Sequence, residues 1–340
     1  MVCMIQKHIS TWLYSCAFMI FLMVVLGGLT RLTHSGLSMV DWRPITGFLP
    51  PLSLQQWHQV FDLYKQSPEF LNINYGMDLA GFKSIFWLEY IHRLWGRLIG
   101  LVFFIPLMGL TVRKQISTGE FIKFFGIFFL GAAQGVMGWY MVKSGLIDDP
   151  QVSPYRLTAH LLLAFLLFSL LLWQGLHYSA TTKIKTSSFP WKLLTLIILT
   201  IFYGGLVAGH KAGYIYNTFP LMGGQLIPGE LFFESPWFMN FFTNPAAVQF
   251  IHRLIAILTF IYAHLFIYKK YHANKLNGST CGLFLTVLWG QLALGITTLL
   301  THVDISFAAL HQANALVLLA ASLLVAFRIQ YGYAGKLTAL

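Results

Sequence analysis

The 340-residue chain has few charged side chains: Asp, Glu, Lys and Arg make up only 10% of it, against about 25% in an ordinary soluble domain. Hydrophobic residues account for 57% of the sequence. So few charges cannot cover a water-exposed surface, and a water-soluble fold is excluded. The composition predicts a polytopic helical membrane protein.

Cysteine is also scarce. Cys3, Cys16 and Cys281 lie at the amino terminus, in the first apolar run and at the start of a late one, so no two share a plausible outer loop. Neither a disulfide framework nor a cysteine metal site is predicted. In a soluble protein the net charge of +11 would suggest a nucleic-acid partner. In a membrane protein the relevant question is which face of the membrane carries the positive charge, so no nucleic-acid binding is expected.

Eight apolar runs are long enough to cross a bilayer. They cover residues 12–30, 90–112, 121–142, 157–176, 191–210, 248–268, 282–301 and 308–328. The first run has no small-residue cleavage pattern after it and nothing resembling a transit sequence before it, so we interpret it as an anchor rather than a signal peptide. Long loops at about 31–87 and 211–247 are rich in Pro, Gly and aromatics, and loops of that length usually cover a functional feature.

The distribution of charge predicts the orientation. With a cytoplasmic amino terminus, the inner segments hold twelve of the 22 Lys and Arg residues and one of the eleven acids, whereas charges balance on the other side. Cytoplasmic loops carry the excess of Lys and Arg. Both termini are therefore expected in the cytoplasm.

An internal repeat relates the two halves of the chain. The matching segments are Glu89-Tyr90-Ile91-His92-Arg93-Leu94 with Gln249-Phe250-Ile251-His252-Arg253-Leu254, Gln134-x-x-x-Gly138 with Gln291-x-x-x-Gly295, and Gly27-Gly28-Leu29 with Gly204-Gly205-Leu206. Four crossings in each half give both halves the same orientation. We predict an all-α membrane protein of two tandem four-helix bundles, a parallel repeat of residues 1–180 and 181–340.

Four of the twelve histidines occupy equivalent places. His92 and His252 are expected to open the second and sixth helices, and His160 and His311 the fourth and eighth. All four would then lie within a turn or two of the outer surface. Neutral imidazoles facing each other in a helical bundle are the arrangement that ligates heme iron from both sides. The alternative is that each histidine only anchors its helix at the interface.

The two halves differ at one position beside the histidines. Glu89 lies three residues before His92, where the second half has the isosteric amide Gln249. A carboxylate near a membrane boundary is costly unless it is paired or functional, and chemistry on a porphyrin needs a proton acceptor. Glu89 is therefore the candidate catalytic base. The alternative is a salt bridge to Arg93, one turn further on.

Arginines follow the first histidine of each half. Arg93 and Arg97 in the first half, and Arg253 in the second, suit the carboxylates of heme propionates, although snorkelling to the interface explains them as well. Gln134 and Gln291 are intramembrane amides near glycines. For these two residues we predict a role in close helix packing.

These motifs resemble the heme A synthase family, which acts in cytochrome c oxidase assembly. The resemblance covers nearly the whole chain and rests on residues 27–38, the Glu89-x-x-His92-Arg93 motif, His160, residues 204–209, His252-Arg253 and His311. It implies an oxidoreductase that converts a ring methyl of heme O into the formyl group of heme A. It further implies that His92 and His160 ligate the substrate heme, and that His252 and His311 ligate a bound heme b.

The resemblance also carries expectations about branch, location and partners. Many bacterial members have a cysteine pair in the first outer loop, and residues 31–87 contain none. The sequence therefore resembles the branch shared with mitochondria and many proteobacteria, and a bacterial inner membrane is expected. Heme O synthase, oxidase assembly factors, an unidentified electron acceptor and membrane lipid are the expected partners.

Two other functions fit part of the pattern. A diheme cytochrome that passes electrons would also use bis-histidine ligation, although four histidines at one depth would not make a wire across the membrane. A heme carrier would need one histidine pair, and such proteins commonly have inverted repeats. Only the synthase converts heme O into heme A.

Overall fold

The computed structural model describes residues 2–41, 47–147, 149–180 and 187–332, and the regular elements within these ranges are helices. Ten α-helices occur in chain order: α1 (Val2–Leu32), α2 (Leu54–Tyr64), α3 (Pro68–Asn72), α4 (Leu79–Val112), α5 (Thr118–Lys143), α6 (Pro154–Ser179), α7 (Trp191–Gly209), α8 (Pro245–His272), α9 (Gly278–Leu300) and α10 (Ile305–Tyr331). All except α2 and α3 are long and apolar enough to cross a membrane.

The eight helices of this length coincide with the eight apolar runs of the sequence. Six of the predicted runs lie wholly inside their helices, and 191–210 and 282–301 each pass the helix end by one residue. The prediction of an all-helical polytopic membrane protein is therefore confirmed. The tandem repeat, its division at residue 180 and the cytoplasmic termini stay predictions.

One expectation about helix ends is wrong. His92 does not open its helix, because α4 begins at Leu79, thirteen residues earlier. Asp78 caps the helix by accepting a hydrogen bond from the Gly81 amide, and Phe82 and Phe86 then bury one face of the added turns. By contrast, His160, His252 and His311 lie six or seven residues inside their helices.

Two compact units make up the chain, one of Leu22–Ala164 and the other of Met1–Phe21 with Phe165–Leu340. In the first unit, α2 and the start of α4 share an aromatic cluster, formed by Trp57, Phe61, Tyr64, Phe70, Phe82, Phe86 and Tyr90. A capping box of Ser53 and Gln56 starts α2, and Ser67 caps α3. Residues 47–78, which we call the outer segment after the orientation predicted from the sequence, therefore fold with the start of α4 on an apolar core of their own.

The second unit contains the pairs α7 with α8 and α9 with α10. Before α8, short 3-10 turns at Gly229–Phe232 and Trp237–Phe241 are held by buried amides. Asn244 accepts from the Ala246 amide at the start of α8 and donates to the Glu230 carbonyl at 2.6 Å. Cys16 and Cys281, both in this unit, are free thiols.

Candidate functional site

The first two candidate histidines each face a glycine on the preceding membrane-spanning helix. A Cβ added at Gly27 on α1 would lie 3.1 Å from Nε2 of His92 on α4. One added at Gly138 on α5 would lie 3.0 Å from Cε1 of His160 on α6. Such distances are below ordinary van der Waals contact, so each imidazole occupies space that only glycine leaves open.

The same relationship recurs for the other two histidines. A Cβ at Gly204 on α7 would lie 3.2 Å from Cε1 of His252, and one at Gly295 on α9 would lie 2.8 Å from Cε1 of His311. The four glycines are those of the repeated sequence motifs. His92 and His160 belong to one compact unit, and His252 and His311 to the other.

The side chains of His92, His160, His252 and His311 are all partly buried. Among the described residues, no group of three or more His, Cys, Asp or Glu side chains is arranged to hold a metal ion. Each compact unit contains one of the two histidine pairs, His92 with His160 and His252 with His311.

The hydrogen bonds of the rings define which nitrogens are engaged. Nδ1 of His252 lies 3.1 Å from the Thr200 carbonyl, which can only accept. Nδ1 therefore carries the proton and Nε2 keeps its lone pair, as in metal-ligating histidines generally. In the first pair, Nδ1 of His160 is buried with no hydrogen-bond partner.

The two intramembrane glutamines contact these rings, which the sequence interpretation missed. Nε2 of Gln134 lies 3.4 Å from Nε2 of His160 and donates to the His160 carbonyl at 3.0 Å. Nε2 of Gln291 lies 3.3 Å from Nδ1 of His311. The repeated Gln-x-x-x-Gly spacing was the available signal, since it places the amide one turn from the glycine that faces the same histidine.

Glu89 is 3% exposed and its carboxylate is surrounded by donors. Oε2 accepts from the Ser38 hydroxyl at 2.6 Å and from the Met39 amide at 2.8 Å. Oε1 accepts from Nε of Arg93 at 3.0 Å and forms an ion pair with Nη2. The salt bridge considered from the sequence is therefore present, and the same carboxylate also holds the first outer loop.

The equivalent cluster of the second half has the same plan without the charge. Gln249 donates to the Tyr216 carbonyl at 3.1 Å, and Arg253 donates to the same carbonyl at 2.9 Å. Arg93 makes the matching bond to the Met39 carbonyl, also at 2.9 Å. Met39 and Tyr216 hold the same place after the Gly-Gly-Leu motif of their halves. Each arginine thus fastens the start of an outer loop to a membrane-spanning helix.

Arg93 and Arg97 also line a cavity of about 340 Å³ in the first unit. Its walls include Leu49, Val60 and Leu63 from the outer segment. The cavity thus combines two guanidinium groups and the carboxylate of Asp41 with an apolar wall.

A second acid of the outer segment was not singled out from the sequence. Glu69 is 2% exposed and accepts a 3.0 Å hydrogen bond from Tyr64, whose hydroxyl accepts one of 2.7 Å from Asn74. Burial raises the pKa of Glu69 to about 7, the Tyr64 bond lowers it, and the charge of Glu89 raises it. No short motif marks such a residue, because its burial arises from the packing of α2, α3 and α4.

Similarity to known proteins covers most of the chain. A family model described as Cytochrome oxidase assembly protein matches residues 10–323. A protein named Heme A synthase from Nitrosospira multiformis is 48% identical over 94% of this chain and 93% of its own length. Proteins of the same name from Nitrosomonas eutropha and Wolbachia pipientis are 49% and 44% identical, covering 94% and 93% of this chain and 94% and 91% of their own lengths.

Proposed function

The chain belongs to the heme A synthase family of cytochrome oxidase assembly proteins. On this basis we propose which heme each of its two histidine pairs binds. Its reaction is the oxidation of a ring methyl of heme O to the formyl group of heme A. We assign the substrate heme O to His92 and His160, and a resident heme b to His252 and His311. Glu89 is the catalytic base of this proposal.

The first pair suits a substrate heme for three reasons. Its two imidazoles belong to one compact unit, Gly27 and Gly138 leave room for them, and Nδ1 of His160 has no competing partner. Arg93 and Arg97 border the cavity described above, where they would contact the propionates. The asymmetry at Glu89, where the second half has Gln249, is the observation that carries the assignment of chemistry to this half.

The second pair suits a permanent ligand set. The Thr200 carbonyl holds Nδ1 of His252, and Gly204 and Gly295 leave room for the rings. Heme b would supply a one-electron redox centre there. Arg253 was the expected cofactor contact. Its Nη atoms donate to the Tyr216 and Thr218 carbonyls, both at 2.9 Å, and its buried Nε has no partner, so Nε is the atom we assign to a propionate.

Converting a methyl into a formyl group removes four electrons and four protons overall when the oxygen comes from water. A carboxylate one turn from a ligand can accept such protons. At Glu89, a proton on Oε2 would replace the hydrogen bond from Ser38 or from the Met39 amide, since both donate to that atom. Ser38 can rotate its hydroxyl to accept instead, which lets the site take up a proton without losing a partner.

The described part of the chain contains eight helices long and apolar enough to cross a membrane, so this is a multi-pass membrane protein. We place it in a bacterial inner membrane, with both heme sites near the outer face of that membrane. A heme O synthase in the same membrane would supply the substrate, assembly factors would receive the product, and an electron acceptor would complete the reaction.

The test is a pigment analysis of the purified protein from cells with and without heme O synthase. Heme A should form only when heme O is made. His92→Ala and His160→Ala should abolish heme A but retain heme b, whereas His252→Ala should lose heme b and protein yield together. His264→Ala is the matched control, because His264 is on α8 but bonds only the Phe260 carbonyl of its own helix.

Two results would contradict the proposal. Bound heme without any conversion of heme O would indicate an electron-transfer cytochrome. Full low-spin heme b in His252→Ala, with no substrate present, would show that the cofactor belongs to the other pair.

A further inference from the structure

His160 and His311, the second histidines of the two pairs, differ in how the glutamine beside each of them is held. In the second half, Asn314 on α10 donates to Oε1 of Gln291 at 2.9 Å and to the Val287 carbonyl at 3.0 Å. Asn314 lies three residues after His311. The residue three after His160 is Leu163, which has no hydrogen-bonding group.

The contacts of Asn314 determine which way the Gln291 amide faces. A backbone carbonyl can only accept, so the atom of Asn314 beside Val287 must be the amide nitrogen. Its second hydrogen then requires the oxygen of Gln291 on that side. The nitrogen of Gln291 is left facing His311.

That nitrogen lies beside the imidazole ring of His311. It is 3.3 Å from Nδ1 and 3.5 Å from Nε2. Nearly equal distances to the two nitrogens do not fit a bond in line with either of them. They fit an amide group packed near the Cε1 atom between the two nitrogens, the same atom that Gly295 faces. The Gln291 amide and Gly295 thus both restrict the space around Cε1 of His311.

The first half lacks this restraint. Gln134 gives its closest hydrogen bond to the His160 backbone carbonyl, and its Oε1 atom is buried without a partner. Nothing at position 163 can hold that oxygen. The Gln134 amide is therefore held through its nitrogen alone, with no hydrogen bond that restrains its oxygen.

We infer that Asn314 is a positioning residue, which holds Gln291 against His311 and thereby fixes the orientation of that ligand for a permanently bound heme. The absence of an equivalent at Leu163 leaves the His160 ring free to adjust as substrate arrives and product leaves. This inference rests on the proposed assignment of heme b to His252 and His311.

The experiment uses the full-length protein, loaded with heme b but isolated from cells without heme O synthase. Two properties are measured: the rate at which heme b passes to excess apomyoglobin, and the electron paramagnetic resonance spectrum of the oxidised heme, which reports the angle between the two imidazole planes. Asn314→Leu, which copies the first half, should accelerate heme loss by about 3- to 10-fold, as expected for one hydrogen bond between membrane helices. It should also broaden or shift the low-spin signal.

A double-mutant cycle separates positioning from general stability. If Asn314 acts through Gln291, Asn314→Leu should add nothing in a Gln291→Leu background. Ser322→Ala is the matched control, because it removes a buried hydroxyl from α10 that bonds the Leu318 carbonyl. This control should leave both measurements unchanged. Additive effects of the two substitutions, or an unchanged spectrum in Asn314→Leu, would overturn the inference.

A reciprocal variant keeps the test decisive if Asn314→Leu does not accumulate. Leu163→Asn gives the first half the missing amide and, in protein isolated from cells that make heme O, should slow the loss of heme from the His92 and His160 pair. An unchanged rate would contradict the inference. His311→Ala tests the proposed ligand set of heme b separately from the positioning role of Asn314. Retention of heme b in that variant would refute the proposed ligand set, whereas its loss together with an inert Asn314→Leu would refute only the positioning role.

Discussion

Glu89 and Arg93 form a partly buried ion pair one turn apart on α4, in which Arg93 also donates to the Met39 carbonyl. The Met39 amide in turn donates to Glu89. A single loop residue is thereby held through both of its backbone groups. The pair thus joins Met39 to the turn of α4 that precedes His92.

Glu89→Gln should separate the catalytic from the structural role of this carboxylate. The amide keeps the shape and can still accept from Arg93, but it cannot take up a proton. We expect the protein to fold and bind heme, while conversion of heme O falls by about 10²-fold or more, the usual weight of general-base catalysis. The measurement is chromatography of heme O, hydroxylated intermediate and heme A from cells that express equal amounts of each variant.

Ser38→Ala is the companion variant for that experiment, because it removes one hydrogen bond to Oε2 but keeps the carboxylate itself. It should lower conversion far less than Glu89→Gln. Near-normal heme A from Glu89→Gln would mean that Glu89 is only a salt-bridge partner.

The glycines that face the histidines should not tolerate a methyl group. At Gly295 a Cβ would lie 2.8 Å from His311, so Gly295→Ala should displace the ring at a cost of about 1–3 kcal/mol. Retained heme b should fall several-fold in pyridine hemochrome assays. On the same helix, Gly282 has nothing within 4 Å of its added Cβ, and Gly282→Ala should be harmless. Equal heme content in the two variants would count against the ligand assignment.

Arg253 should hold the loop of residues 211–222 through its two Nη donor groups. Its Nη atoms bond the Tyr216 and Thr218 carbonyls, and a lysine cannot reach both. In Arg253→Lys, amide hydrogen exchange of residues 211–222 should rise by about 3- to 10-fold. Arg156→Lys is the control, because Arg156 bonds a single carbonyl, that of Tyr140, elsewhere. Loss of heme b with unchanged exchange would instead assign Arg253 entirely to the cofactor.

The outer segment of the first unit should lose stability as pH rises. The pKa of Glu69 is about 7 in the folded segment and 4.5 in the absence of structure, so the folded state binds its proton more tightly. The segment is therefore most stable below pH 4.5, and up to about 3 kcal/mol is lost between pH 4.5 and 7. Tyr64 and Glu89 are the groups that affect the pKa of Glu69 besides burial.

Hydrogen exchange of α2 and α3 at pH 5 and pH 8 measures that effect. Exchange corrected for its intrinsic pH dependence should be faster at pH 8, and Glu69→Gln should remove the difference. Glu230→Gln is the matched control, because Glu230 also accepts a hydrogen bond from a tyrosine, Tyr216 at 2.7 Å, but is exposed. A pH difference that survives in Glu69→Gln would show that another group titrates.

Reporter fusions should locate the loops relative to the membrane. The excess of Lys and Arg predicts that a fusion after residue 274 is cytoplasmic and that one within residues 220–240 is external. An alkaline phosphatase and green fluorescent protein pair gives opposite signals on the two sides. A cytoplasmic signal from the second fusion would overturn the predicted orientation of the chain.

The sequence by itself determined the number of membrane-spanning helices, because a run of about 20 apolar residues is a local property that needs no partner. The predicted resemblance to the heme A synthase family is confirmed, since it depends on motifs that can be read in order along the chain. The four histidines were identifiable for the same reason. Their repeated spacing is independent of how the helices pack.

Contacts between distant residues required the tertiary structure. Ser38 and Glu89 are 51 residues apart, and no local pattern pairs them. The start of α4 at Leu79 was missed because its extra turns are stabilised by aromatic packing against α2, not by apolar length. Gln291 reads as a packing residue from its own helix, and only the approach of α10 shows its contacts with His311 and Asn314. Helix length is determined by neighbours in sequence, whereas polar partners inside a membrane protein are determined by which helices come together.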